Sequence, residues 1–205
     1  MFLKHYLTLY CKTTYHNAPL KDFQIRQLLE RTELQQFRND GHSKVVPEMK
    51  IPVAGARIDI AVINGSFHGY EIKGASDTLR RLPNQLIAYS YIFDYLTIVT
   101  EEKHYKKVID LVPEWIAVAI CEVNDGVPHF IVKRHCSPNQ NKQKFHIAKL
   151  LWHDELVEVL VEQNISCKKQ SRNWILCETL SANLELDVLS EIVREKIKNR
   201  EGWKL

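Results

Sequence analysis

Residues 57–74, RIDIAVINGSFHGYEIKG, decide how this chain is read. They form two apolar, β-branched runs, about 57–63 and 67–73, joined at Asn64-Gly65, the composition of a β-hairpin. Asp59, Glu71 and Lys73 interrupt those runs. Ionisable groups inside a sheet are costly unless they are paired, hydrated or bound to a cation. The hairpin therefore predicts a site.

Side chains alternate along a strand, so Glu71 and Lys73 share a face with Gly69, and Asp59 shares one with Arg57, Ala61 and Ile63. The turn decides whether the two faces coincide. A two-residue turn sets Asp59 opposite Tyr70 and away from Glu71. A three-residue turn, such as a type I turn with a glycine bulge, brings both carboxylates to one side. Asn-Gly suits either turn, and chemistry favours the second. Two convergent carboxylates beside a lysine suit a hard divalent cation that keeps several waters. Such an ion polarises a phosphodiester and acidifies a bound water. The lysine orients that water or offsets charge in the transition state. Small neighbours, Ala61 and Gly69, are expected to leave room for the ion and a phosphate.

Outward from the hairpin, periodicity predicts a helix over 22–38 with Asp22 as N-cap, and a strand in SKVVPEMKI, where Pro47 marks an edge or a bulge. The stretch SDTLRRLPNQLIAYSYIFDY has helical spacing, with Pro83 either kinking the helix or starting it. Asp77 is read as that helix's N-cap. LTIVT is a buried strand and EEKHYKKVIDLV an amphipathic helix. WIAVAICEV and PHFIVKRH form a hairpin around Asn124-Asp125-Gly126. The order α-β-β-β-α-β-α-β-β gives an α/β domain over residues 1–135. CSPNQNKQK is the linker, and residues 136–205 are a helical C-terminal subdomain with helices near 144–163, 171–181 and 185–200.

Asp59 followed by Glu71-Ile72-Lys73 on the next strand resembles the D…ExK signature of the PD-(D/E)XK nuclease superfamily. The order helix, three antiparallel strands, helix, strand is similar to that superfamily's restriction-endonuclease-like core. Gln85 and Tyr89 match the QxxxY carried by several of its branches, and being four apart they share a helix face. The stretch around the hairpin is similar to small bacterial members in which a Glu on the first strand precedes the Asp; Glu48 stands there. One departure is Ile58, where the signature has proline. The resemblance covers about residues 22–100.

It implies a magnesium or manganese ion held by Asp59, Glu71 and the main-chain carbonyl of Ile72, with Glu48 as an additional acid and Lys73 positioning water. It implies that Gln85 and Tyr89 contact DNA or steady the site. Arg80 and Arg81, cations in the first turn of a helix where the dipole disfavours them, point to phosphate contact. The implied activity is phosphodiester hydrolysis, endo- or exonucleolytic, on DNA rather than RNA, in repair, restriction or defence against mobile DNA. The alternative is a nuclease-fold DNA-binding or interaction subunit of a larger assembly, inactive on its own. A homo-oligomer or a partner protein subunit is compatible with this chain length.

Composition sets the outer bounds. The chain has 205 residues, 45% apolar and 26% charged, with a net charge of +3. That fits a folded domain and does not by itself diagnose a nucleic-acid partner. No apolar run is long enough to span a membrane. MFLKHYLTLYCKTTYH is interrupted by Lys4, His5 and Lys12 and is not read as a secretory signal. Five scattered cysteines, none in a CxxC, argue against a disulfide framework and a zinc site and predict a cytoplasmic setting. His104, His135 and His153 lack metal-ligand spacing. In the helical part, Leu150, Leu151, Leu156, Leu160 and Val161 mark a buried side. Lys168, Lys169 and Arg172 form a basic turn, and Arg194, Lys196, Lys198 and Arg200 a basic end. Such groups can hold DNA through its phosphates.

Overall fold

The computed structural model describes residues 20–125 and 127–201. The N-terminal stretch tested as a signal, with Cys11, and Gly126 of the second hairpin lie outside the described residues.

Six strands form one mixed sheet in sequential order: β1 Lys44–Lys50, β2 Arg57–Ile63, β3 Phe67–Lys73, β4 Tyr95–Glu101, β5 Ala117–Asn124 and β6 Val127–Arg134. The pairs β1–β2, β2–β3 and β5–β6 are antiparallel, whereas β3–β4 and β4–β5 are parallel. Parallel neighbours need a crossover, supplied here by α3 (Leu82–Ser90) and α4 (Glu102–Leu111). Pro47 is tolerated because β1 is an edge strand.

Strand alternation divides the core in two. Ile60, Val62, Tyr70, Ile72 and Val99 face α1 (Asp22–Arg31), which contributes Ile25 and Leu29, and the turn before α2 (Gln35–Asn39), which contributes Leu34. Ala61, Ile63, Phe67, Leu96, Ile98 and Val118 face α3 and α4. On that side they also meet α5 (Lys144–Ala148), α6 (His153–Glu162), α7 (Asn173–Asn183) and α8 (Leu186–Asn199). The C-terminal helices thus share one core with the sheet. Lys44 of β1 donates to the carbonyls of Lys198 and Arg200, tying the first strand to the end of α8.

Two expected long helices are each broken. The first ends at Arg31, where the Thr32 hydroxyl bonds the Leu28 carbonyl, and the turn that follows keeps Leu34 fully buried. The second breaks before Trp152, whose N–H is capped by the Glu155 carboxylate 2.7 Å away, so α6 begins anew. Pro83 starts α3, after a 3-10 turn over Leu79–Arg81, rather than kinking it.

Candidate active site

The β2–β3 ladder runs from Ile63 opposite Phe67 to Ile60 opposite Tyr70, and then stops. In this register the next opposed residues are Asp59 and Glu71, so both carboxylates come to one place. Asn64, Gly65 and Ser66 make the connection. The Asn64 side-chain oxygen accepts the Ser66 N–H at 2.9 Å, an Asx turn. Gly65 is not in the left-handed region, so the expected glycine bulge is absent and the asparagine sets the register instead.

Where the ladder stops, the strands part. The Ile72 N–H, left without a β2 carbonyl, donates to Asp59 Oδ2 at 2.7 Å. An extended residue points its N–H and C=O the same way, so the Ile72 carbonyl faces the same opening. Across β2, Glu48 lies between the paired Pro47 and Met49 and has φ +52°, in the left-handed region. Such a backbone costs about 1–3 kcal/mol for a non-glycine residue and concentrates at functional sites.

The opening is a cleft of about 800 Å³ lined by Asp22, Arg26, Glu48, Asp59, Glu71 and Lys73, among others. Glu71 is 2% exposed and Lys73 6%. Lys73 Nζ donates to Glu71 Oε1 at 2.6 Å, and Gln85 Nε2 donates to the same oxygen at 2.8 Å. The Tyr89 hydroxyl lies 2.8 Å from Glu71 Oε2 and 2.7 Å from the Arg57 carbonyl. Gln85 Oε1 also accepts from Lys73 at 3.1 Å. The QxxxY pair on α3 therefore fixes Glu71 and Lys73 from one side, as helix spacing allows.

The electrostatics are uneven. Burial, reinforced by the charge of Glu71, pushes the Asp59 carboxyl up to about 7, against the lowering effects of the Ile72 N–H and Arg26. Burial also raises the Asp22 carboxyl, against the Arg26 charge. Tyr89 is driven far up by burial and by Glu71, so it stays a neutral donor.

Residues the sequence reading passed over complete the site. Arg26 of α1 donates from Nη2 to Glu48 Oε1 at 2.6 Å and Asp59 Oδ1 at 3.2 Å, and from Nη1 to the Asp59 carbonyl at 2.9 Å. Arg57 pairs with the other Glu48 oxygen at 2.7 Å. The available signal was Asp22 and Arg26 four apart on one helix face. Gly74 explains how α1 arrives: a Cβ there would meet the Asp22 backbone nitrogen at 2.8 Å.

Several expectations need correction. Ala61 and Gly69 leave no space, since Ala61 is fully buried and a Cβ at Gly69 would meet Leu96 at 2.9 Å. Asp22 is the first helical residue, not the cap, which is Lys21. Asp77 does not cap α3; its carboxylate accepts the Gly74 N–H and closes the turn after β3. Arg81 lines the cleft, whereas Arg80 is exposed and outside its lining.

The groups here that could ligate a cation, the carboxylates and the Ile72 carbonyl, offer oxygen. Among the described residues, no group of three or more His, Cys, Asp or Glu side chains could hold a metal. A cation in the cleft would rely on Asp59, Glu71, the Ile72 carbonyl and water.

A family model described as "Bacteriophage P4 protein cII" matches residues 21–203. Protein cII of Enterobacteria phage P4 is 29% identical over 156 residues. That match covers 76% of this chain and 59% of the phage protein, so the chain spans under two thirds of its relative's length. Among solved structures, a protein of unknown function from Silicibacter pomeroyi is similar at a TM-score of 0.39 and 13% identity, covering 91% of this chain and 99% of that one. A likeness that loose carries no argument about function.

Proposed function

The chain belongs to the bacteriophage P4 protein cII family, and from its cleft we propose that it is a metal-dependent nuclease of PD-(D/E)XK type. One observation carries this reading: Asp59, Glu71 and Lys73 gather in one cleft at the point where β2 and β3 part. The arrangement of α1, β1–β3, α3 and β4 is read as a restriction-endonuclease-like core, within an α/β sheet flanked by helices.

The donor set fits magnesium or manganese. Its oxygens are hard, and the burial and neighbouring Glu71 charge that raise the Asp59 carboxyl are effects a bound cation would offset. Asp59, Glu71 and the Ile72 carbonyl would hold the ion, with Glu48 nearby. Bound there, the ion would supply Lewis acidity toward a phosphodiester and an acidified water. The protein's own residues do the rest. Lys73, anchored by Glu71 and Gln85, presents an ammonium to water and to charge on the scissile phosphate. Gln85 and Tyr89 hold Glu71 in one orientation. Arg81, on the cleft wall, can meet the backbone of the bound strand. DNA is preferred over RNA as substrate on the superfamily resemblance.

The test compares wild type with Lys73→Ala and Glu71→Gln on plasmid, linear and single-stranded DNA with magnesium. Either change should lower cleavage at least about a hundredfold, the range expected for a positioned catalytic group. Equal cleavage by all three proteins would dismiss the site.

A second reading, a nuclease-fold subunit that binds without cutting, draws on Arg26. Its guanidinium already neutralises Glu48 and Asp59. That reading predicts no magnesium-dependent cleavage by wild type and no magnesium heat in calorimetry.

A further inference from the structure

Three of the cleft's wall residues, Glu48, Lys50 and Ile51, also line a neighbouring hollow of about 300 Å³ whose lining includes Lys149 and Trp152. Trp152 is 44% exposed, and the Arg200 guanidinium lies 4.3 Å from its ring centroid. The residue after it, His153, is fastened to the basic turn beyond α6. Its Nδ1 lies 2.7 Å from Asn173 Oδ1 and its Nε2 2.9 Å from the Lys169 carbonyl. That turn and the start of α7 line a third hollow, of about 420 Å³, with Lys168, Arg172 and Trp174, the last 50% exposed.

The two basic groups of the C-terminal part are not equivalent. Lys196 pairs with Glu158 and Glu162, Lys198 with Glu195, and Arg200 with Glu155, so the charge at the end of α8 is largely neutralised. Among the described residues, Lys168, Lys169 and Arg172 have no carboxylate partner. Unpaired cations beside the half-exposed Trp174 indole, joined through His153 to the hollow that carries Trp152 and borders the cleft, have the chemistry of a single-stranded nucleic-acid path. Phosphates meet the cations, and unpaired bases stack on the rings. A duplex hides its base faces, and an acidic peptide would leave the indoles unused.

We propose that the surface running from the cleft past Trp152 to the Lys168–Arg172 turn and Trp174 binds one unpaired nucleic-acid strand and leads it to Asp59, Glu71 and Lys73. The direction of travel rests on the nuclease reading of the cleft; the binding itself does not.

Binding is therefore measured on the full chain in EDTA, where nothing is cut, by fluorescence anisotropy. The probes are labelled oligo-dT and oligo-U of about 20 nucleotides, a duplex of the same length, and poly-glutamate as competitor. A labelled single strand should bind at least about tenfold more tightly than the duplex, and the tighter of dT and U identifies the sugar. Trp174→Ala and Trp152→Ala should each weaken single-strand binding about tenfold, the value of one stacked base. Lys169→Ala and Arg172→Ala should each reduce the slope of log K against log salt by about 0.7. Trp174 is half exposed, so its variant tests the path without disturbing the core. Equal affinity for duplex and single strand, or no effect of either tryptophan change, would overturn the proposal. So would poly-glutamate that binds as tightly as the oligonucleotides. The two readings also fail separately: binding is read in EDTA whether or not magnesium supports cleavage, and Trp174→Ala leaves the cleavage site in place.

Discussion

At the residue scale, the site is a problem of charge held inside a sheet. Glu71 is nearly sealed from solvent, and three donors, from Lys73, Gln85 and Tyr89, keep it there. Tyr89→Phe removes one donor to a buried carboxylate. It should cost roughly 1.5–3 kcal/mol in denaturant unfolding, the value of a hydrogen bond to a charged group. Asp59 gives a pH signature. Folding raises its carboxyl from an ordinary 3.8 to about 7, so the native state binds the proton more tightly than the unfolded chain does. Stability of the metal-free protein should therefore fall as pH rises through that window, and level off above it. Asp59→Asn should flatten the slope in thermal unfolding at pH 5 and pH 8 in EDTA. An unchanged slope would mean that Asp59 titrates normally.

Among the elements, the hairpin and α1 make the cleft together. The Asn64–Ser66 turn sets the register, the ladder stops at Asp59 and Glu71, and the Asp59 side chain replaces the missing strand carbonyl. Opposite it, Glu48 in β1 takes a left-handed backbone and is clamped by Arg26 and Arg57. α1 reaches this point because Gly74 lets the loop after β3 touch the backbone of Asp22. Gly74→Ala should push the start of α1 away, destabilise the fold by about 1–3 kcal/mol in denaturant unfolding, and withdraw Arg26 from Asp59. Arg26→Met leaves Asp59 without its arginine and Glu48 with Arg57 alone. In calorimetry, magnesium should then bind more tightly under the nuclease reading, because the guanidinium no longer competes for Asp59.

For the whole molecule, the boundary near residue 135 separates two segments of chain but not two cores. Ile147, Leu156, Leu160, Leu176, Leu180, Val193 and Ile197 pack in one cluster with Ala61, Phe67, Leu96 and Val118. A fragment ending at residue 135 should expose that sheet face, bind a hydrophobic dye and unfold without a cooperative transition; sharp cooperative melting would show an independent sheet domain. The sequence determined the strand and helix order, the D…ExK hairpin and the QxxxY helix, because these rest on local periodicity, turn residues and short spacings. It could not place the helix breaks at Thr32 and Trp152, which depend on a side-chain bond to a carbonyl and on a carboxylate that accepts the Trp152 N–H rather than on glycine or proline. Only the tertiary structure decided that Asp59 meets Glu71, since one residue of turn length separates the two registers and Asn-Gly permits both. Only it brought Arg26 to Asp59 from 33 residues away and filled the space beside Gly69 with Leu96. Contacts between distant segments are set by packing, and local sequence carries no record of them.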